Sequence, residues 1–473
     1  MKKALVVSLC LLFIQTISTI VVQVTAKDWQ VGIGLEFSKP SEIATLIKDK
    51  DTVTIHEGIY DGDVASWYAH NILFRGQGRV QLKANGNAAE KKAIWVIKGN
   101  DCIVDGIEFY DCIVPDRNGA GIRGEGTNLT MRHCKFMNNQ MGMLCGVNLL
   151  STIIVEYCEF ANSGYGDGLS HGIYIGHVGA FIYRFNYAHH TKIGHELKSR
   201  AAFNYIAYNR ITNENGTASR NIDLPNGGTS FVIGNIIHKG ANTENGNVIG
   251  YGLEGMVDSL DNSIYVNGNT IVSDRSIITL LRTHEITDTV KINNNIIAGT
   301  GTLMIGQSKF LDTNNGRHWI TIKEAQFQNP TQYDYSLPQN SQFRNLYKLI
   351  DTVLALGSIK SMPLELNPQY EYRDTCKSVL RQSLQTLGAL ESVSPTGMSD
   401  FSLDLPLITP NPATDIITIQ KASSCNSVQF YSLSGLSYSS SAFDGETINI
   451  GALPNGFYVV SICADKRFLL IAR

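Results

Sequence analysis

Charge is scarce in this sequence. Only 17% of its 473 residues are Asp, Glu, Lys or Arg, against roughly a quarter in an average soluble protein. The two signs nearly cancel, with 39 basic and 42 acidic residues. A chain built mainly to grip nucleic acid needs an excess of Lys and Arg against the phosphates; that class is excluded, and only a locally basic cleft remains open. Beyond the N-terminus no run of 18 uninterrupted apolar residues occurs, so the mature chain has no transmembrane candidate and reads as soluble or surface-attached. The nine Cys form neither CxxC pairs nor a dense short framework, which leaves zinc and haem attachment unsupported. With 43% hydrophobic residues the chain is too apolar for disorder and too long for one ordinary domain.

What the sequence has in excess is turn residues, 43 Gly and 37 Asn. At the N-terminus, Lys2 and Lys3 precede an apolar stretch over 4–14 and a weaker one to Val24, closing on Val24-Thr25-Ala26 before Lys27. That order of charged, apolar and small residues predicts a secretory signal peptide over 1–26. Gln15, Thr16, Ser18, Thr19 and Gln23 interrupt the run and weigh against a membrane anchor. Export makes disulfides permissible.

From about 102 to 295 a short unit recurs: a polar turn, a few alternating residues, then Cys or Asn, one variable residue and an apolar or aromatic one. Copies are Cys134-Lys135-Phe136, Cys158-Glu159-Phe160, Asn186-Tyr187, Asn209-Arg210-Ile211, Asn235-Ile236-Ile237, Asn269-Thr270-Ile271 and Asn295-Ile296-Ile297. Successive spacings are 24, 28, 23, 26, 34 and 26 residues, and periods of this size signal stacked coils. The copies are strand-like, and nothing between them has room for a long helix, which excludes βαβ units and most helical repeats. Asn at equivalent corners is expected to take the left-handed backbone and to hydrogen-bond along the stack. Cys112, Cys134 and Cys158 are expected in one register as small core residues.

The pattern resembles right-handed parallel β-helix proteins of the pectate-lyase-like class, with residues 51–60 as the usual first coil. The resemblance covers roughly 27–391 and implies an all-β fold, a right-handed parallel β-helix. After Leu303 the period decays; Tyr333-Asp334-Tyr335-Ser336-Leu337 and Leu387-Gly388-Ala389-Leu390-Glu391 are expected to form the closing cap a solenoid needs. Residues 392–404 read as a linker. The tail over 405–473 carries Pro410-Asn411-Pro412-Ala413-Thr414-Asp415, an alternating stretch over 416–419, Phe430-Tyr431-Ser432-Leu433-Ser434-Gly435 and Leu453-Pro454-Asn455-Gly456-Phe457-Tyr458. Short strands between turns predict a small C-terminal β-sandwich. The succession resembles the C-terminal sorting domain of the type IX secretion system of Bacteroidetes, which implies that secretion machinery as a partner and a secreted or outer-membrane surface location. A carbohydrate-binding sandwich fits less well, since the tail lacks an obvious row of exposed aromatics.

Residues that break the bland repeat cluster between Asp167 and Glu254. In Gly194-His195-Glu196-Leu197-Lys198-Ser199-Arg200, inward Leu197 and Ser199 would send Glu196, Lys198 and Arg200 outward on one face. Aligned on the corner Asn, Tyr174 falls one coil before Lys198 and Asp223 one coil after, close enough across neighbouring strands to form a row. Arg220, Asn226 and Glu254 join from the next coils, and His171 from the preceding one. His171 shares the parity of Ile173 and Ile175, which also suits a corner or core histidine; Asp223 also suits an Asx-type turn. Such a stripe suits an acidic sugar polymer.

The segment resembles the Lys-Ser motif of the alginate-lyase and chondroitinase B group of polysaccharide lyases. The resemblance implies β-elimination on a uronic-acid-containing glycan, with Lys198 as base, Arg220 aiding the leaving group, and His171 or Tyr174 as a further acid or base. Arg200, Glu196, Asp223, Asn226 and Glu254 would contact substrate. That group also holds Ca2+ through paired acidic residues just ahead of its Lys, where this sequence has Lys192, Ile193, Gly194 and His195; calcium is thus a possible cofactor without its usual ligands. Two alternatives stay open: a glycoside hydrolase using Asp167, Asp223 or Glu254, and a surface adhesin that only binds glycan; under each reading the protein is expected to be a monomer.

Overall fold

The computed structural model describes residues 26–256, 261–284, 287–313, 316–348, 368–370, 376, 378–380 and 386–391, together with strands and a few flanking residues between 407 and 471. Residues 1–25 of the expected signal peptide, the linker over 392–404 and the 410–415 motif lie outside the described residues.

From Asp28–Val31 to Gly316–Ile320 the chain winds as a solenoid whose strands pair in parallel from coil to coil, in one sheet of twenty strands and one of ten. The larger sheet bends along a corner. In an early coil the single strand Cys102–Tyr110 spans the bend, and the next coil meets it with two, Leu129–Arg132 and Lys135–Met137. The coils therefore have three faces. The strand Thr52–Asp61 matches the expected opening coil, but Asp28–Val31 precedes it and pairs with it.

Period-two alternation fills the interior. On the ten-stranded sheet Trp95, Ile122, Met143, Ile173, Leu197, Ile222, Ile249 and Leu281 stand level in successive strands and are completely buried. Phe109, Phe136 and Phe160 stack with nearly parallel planes, their centroids 5.2 and 4.7 Å apart. One coil alone would leave these side chains in water, so the core exists only because the coils stack.

The corner within the larger sheet holds an asparagine ladder. The backbone N–H groups of Asn186, Asn209, Asn235 and Asn269 donate to Oδ1 of Asn209, Asn235, Asn269 and Asn295 at 2.8–2.9 Å. Each of these four amides also donates through Nδ2, as Asn235 does to Ile206 O at 2.9 Å. All five Asn are fully buried. The left-handed residue, however, is the one before the ladder position: His133, Tyr157, Phe185, Tyr208, Gly234, Gly268 and Asn294 have φ between 51° and 64°. The turn must come first so that the amide can point inward. Its cost at the bulky residues, of order 1–2 kcal/mol each, is offset by outward stacking of His133, Tyr157, Phe185 and Tyr208 at 5.0–5.6 Å.

Two more expectations change. The register pairing Glu108 with Lys135 puts Ile107 level with Cys134, so Cys112 stands at the next corner, where its N–H donates to Asn139 Oδ1. Cys102, Cys112, Cys134, Cys145, Cys158 and Cys376 are all buried, and the Cys376 thiol donates to Cys158 O at 3.3 Å. The closing segment runs along the flank of the solenoid: Ala325, Phe327, Tyr335, Leu337, Phe343, Leu387, Ala389 and Leu390 pack on Tyr187, Ile236, Val272 and Ile296. Those outward apolar side chains need cover, and Gly388 N–H to Asn294 O at 3.0 Å pins the strap.

Within the tail the strands are antiparallel. Leu407–Thr409, Ile416–Gln420 and Thr447–Asn449 form one sheet; Ser437–Ser439, Val428–Ser432, Gly456–Ile462 and Asp465–Ile471 form another. This is the strand content a small sandwich requires. Among the described residues no helix is long and apolar enough to cross a membrane.

Replacing Asn235 by Ala orphans Asn209 N–H and Ile206 O inside the stack. A loss of about 2–4 kcal/mol is expected, read as a lower urea midpoint for the variant than for the wild type.

Candidate functional site on the outer face of the ten-stranded sheet

Where Leu197 and Ser199 turn inward, Lys198 between them must face out. The strand Leu197–Ser199 pairs with Ile173–Ile175 and Ile222–Leu224 in a register that sets Tyr174, Lys198 and Asp223 side by side. The next strand contributes Gly250 at this level. A Cβ there would come within 2.7 Å of Asp223 Oδ1 and 2.8 Å of Arg220 Cδ, so a glycine is what lets the Arg220–Asp223 pair sit over this strand.

The row belongs to a charge network. Lys198 Nζ donates to Glu254 Oε1 at 2.8 Å and faces Asp223 Oδ2 at 3.6 Å. Arg200 donates from Nε to the Tyr174 hydroxyl at 2.8 Å, from Nη1 to Asn226 Oδ1 at 2.5 Å and from Nη2 to Glu254 Oε2 at 2.5 Å. Arg220 Nη1 donates to Asp223 Oδ1 at 2.9 Å, and Asn226 Nδ2 to Gly255 O at 3.0 Å. Seven expected residues, Tyr174, Lys198, Arg200, Arg220, Asp223, Asn226 and Glu254, thus meet in one cluster. Asp223 lies in a strand, which sets aside an Asx turn.

Glu196 is not among them. Its carboxylate is fully buried and accepts from the Thr191 hydroxyl at 2.6 Å and from Asn213 Nδ2 at 3.1 Å. It precedes the strand, where the corner overrides alternation, and it cannot touch a substrate.

His171 stacks on His195 with centroids 4.9 Å apart and planes within 4°. The His195 N–H donates to His171 Nδ1, and the Arg220 N–H to His195 Nδ1, both at 3.1 Å. Each Nδ1 is therefore an acceptor, and each neutral ring carries its proton on Nε2. His195 Nε2 faces Asp223 Oδ2 at 3.4 Å. His195 carries no role in the sequence-based expectations; its place 24 residues after His171, with the same parity, is the signal that pairs the two rings.

Burial, followed by the Lys198 charge, lowers the His171 pKa to about 3. Burial, His171 and Arg220 hold His195 well below its ordinary value. Burial raises the Asp223 carboxyl despite Arg220 and Lys198. At Glu254 burial acts upward, but the hydrogen bonds from Lys198 and Arg200 win and lower its pKa.

Among the described residues no three His, Cys, Asp or Glu side chains gather as metal ligands. The two carboxylates of the cluster already face Lys198, Arg200 and Arg220. This donor set does not fit a calcium cage.

Residues 21–172 match the family described as right-handed β-helix region. Residues 407–470 match the secretion system C-terminal sorting domain. No curated protein matches the chain. The first match stops just before the strand carrying Tyr174, although the coils continue through Gly316–Ile320. Fold and tail together define a secreted β-helix protein, addressed by its C-terminus to the type IX machinery and so to the exterior or the cell surface.

A histidine held neutral in the fold binds fewer protons than the unfolded chain between its two pKa values. The stability tied to His171 is complete above about pH 6.5 and is lost as pH falls towards 3. Between pH 7 and pH 5 that loss is about 2 kcal/mol. Urea midpoints at the two pH values are expected to differ less in His171→Gln than in the wild type.

Proposed function

We propose that the protein is a polysaccharide lyase that cleaves a uronic-acid-containing glycan by β-elimination. The observation that carries this reading is the outward Tyr174, Lys198, Asp223 row with Arg200 and Arg220 beside it. In the proposed step Arg200 neutralises the substrate carboxylate, which makes the neighbouring C–H acidic enough to lose. Lys198 Nζ, in its neutral form, takes that proton; a carbon–carbon double bond forms as the glycosidic C–O bond breaks. Tyr174 accepts a hydrogen bond from Arg200 Nε, which leaves its own O–H to be donated to the departing oxygen. Arg220 supports the charge developing there.

One observation favours a second reading, a glycoside hydrolase. Asp223 and Glu254 flank Lys198, and their pKa values are pushed in opposite directions, the first up and the second down. Such divergence is how paired carboxylates divide acid and base roles.

Incubation with uronate polymers is expected to yield unsaturated, ultraviolet-absorbing ends. Lys198→Ala should lower that rate by more than about a hundredfold. Reducing ends without absorbance would favour the hydrolase, and saturable binding without product an adhesin.

A further inference from the structure

The two cations nearest the reacting position share one anion. Glu254 puts Oε1 on Lys198 Nζ at 2.8 Å and Oε2 on Arg200 Nη2 at 2.5 Å. The carboxylate thus spans the general base and the side chain assigned to the substrate carboxylate. It comes from outside the row: Glu254 follows the strand Asn247–Tyr251, in a turn with left-handed Gly252 and Gly255 on either side. Its side chain is 46% exposed, whereas those of Lys198 and Arg200 are 10% and 17% exposed. The cations are largely shielded from solvent, and the anion spanning them is the group open to it.

We propose that Glu254 is an internal stand-in for the substrate carboxylate: it occupies the Lys198–Arg200 anion position in the free protein and is displaced when the uronate carboxylate of a glycan binds. This rests on the lyase reading for the identity of the ligand. The position accepts a planar group with two oxygens, each meeting a different cation. Displacement seats the substrate carboxylate on Arg200 in place of the Glu254 carboxylate. A neutral glycan cannot replace the lost charge and is disfavoured, so the same residue sets specificity for acidic sugars.

A competitor that closes the site lowers apparent affinity by the fraction of molecules open. For an ion pair leaving one molecule in about ten open, removing it tightens binding about tenfold. The test is calorimetric titration of the mature full chain, as wild type, Glu254→Gln and Glu254→Ala, with oligogalacturonate, its methyl ester, and galacturonate and acetate as minimal carboxylates. Far-ultraviolet circular dichroism and melting identify any variant that fails to fold; the half-exposed position makes two failures unexpected. At least one folded variant should bind the charged ligands about tenfold more tightly than wild type, with no gain for the ester. Equal or weaker binding of every charged ligand, or an equal gain for the ester, overturns the proposal. The two readings fail separately. A gain for carboxylates without cleavage of any polymer keeps the stand-in and removes the lyase. Polymer cleavage with variants that lose both affinity and turnover keeps the lyase and removes the stand-in.

Discussion

The solenoid and the site it carries depend on the parallel register between successive coils. Backbone hydrogen bonds hold neighbouring strands about 4.8 Å apart, and a slip of one residue would turn every inward side chain to solvent. The register is over-determined: the apolar stack on the ten-stranded sheet, the stacked Phe109, Phe136 and Phe160, and the asparagine ladder all specify the same pairing. Because the scaffold is this regular, a side chain one residue from an inward Leu or Ile has its position fixed. Lys198 faces outward because Leu197 beside it faces inward, and Glu254 and Asp223 then meet its ammonium.

A scaffold with few charges also changes what a charge means. On an exposed surface an ion pair contributes little, but Asp223 is 1% exposed and Lys198 8% exposed, and such groups carry a desolvation cost that only partners can offset. Each charged member of the cluster has one: Arg220 for Asp223, Glu254 for Lys198 and Arg200. Three cations meet two carboxylates there in the free protein, and the proposed ligand exchange acts on one of these pairings. The neutral, oriented histidines beside it add donors without adding charge.

Much of this was legible in the sequence because repetition fixes more than propensity does. A period near 25 residues ending in Asn or Cys marks the coils, and counting back from each Asn places Tyr174, Lys198 and Asp223 in the register the strands show. Alternation failed where the chain turns. Glu196 has the parity of Lys198 but sits in the corner, so its carboxylate goes inward to Thr191 and Asn213. The left-handed residue precedes the corner Asn, because the amide must aim along the stack while the bend is made elsewhere. The flank strap and the His195 contact to Asp223 join residues through corners and turns, where no spacing rule operates.

The central claim is that the outer face around Lys198 receives a uronate with its carboxylate on Arg200. A crystal structure of Lys198→Ala soaked with a uronate oligomer tests it most directly. The account expects sugar rings along the ten-stranded sheet, one carboxylate on the Arg200 guanidinium and the adjacent C–H facing residue 198. An oligomer bound on another face, or one whose carboxylates all point away from Arg200, would contradict it.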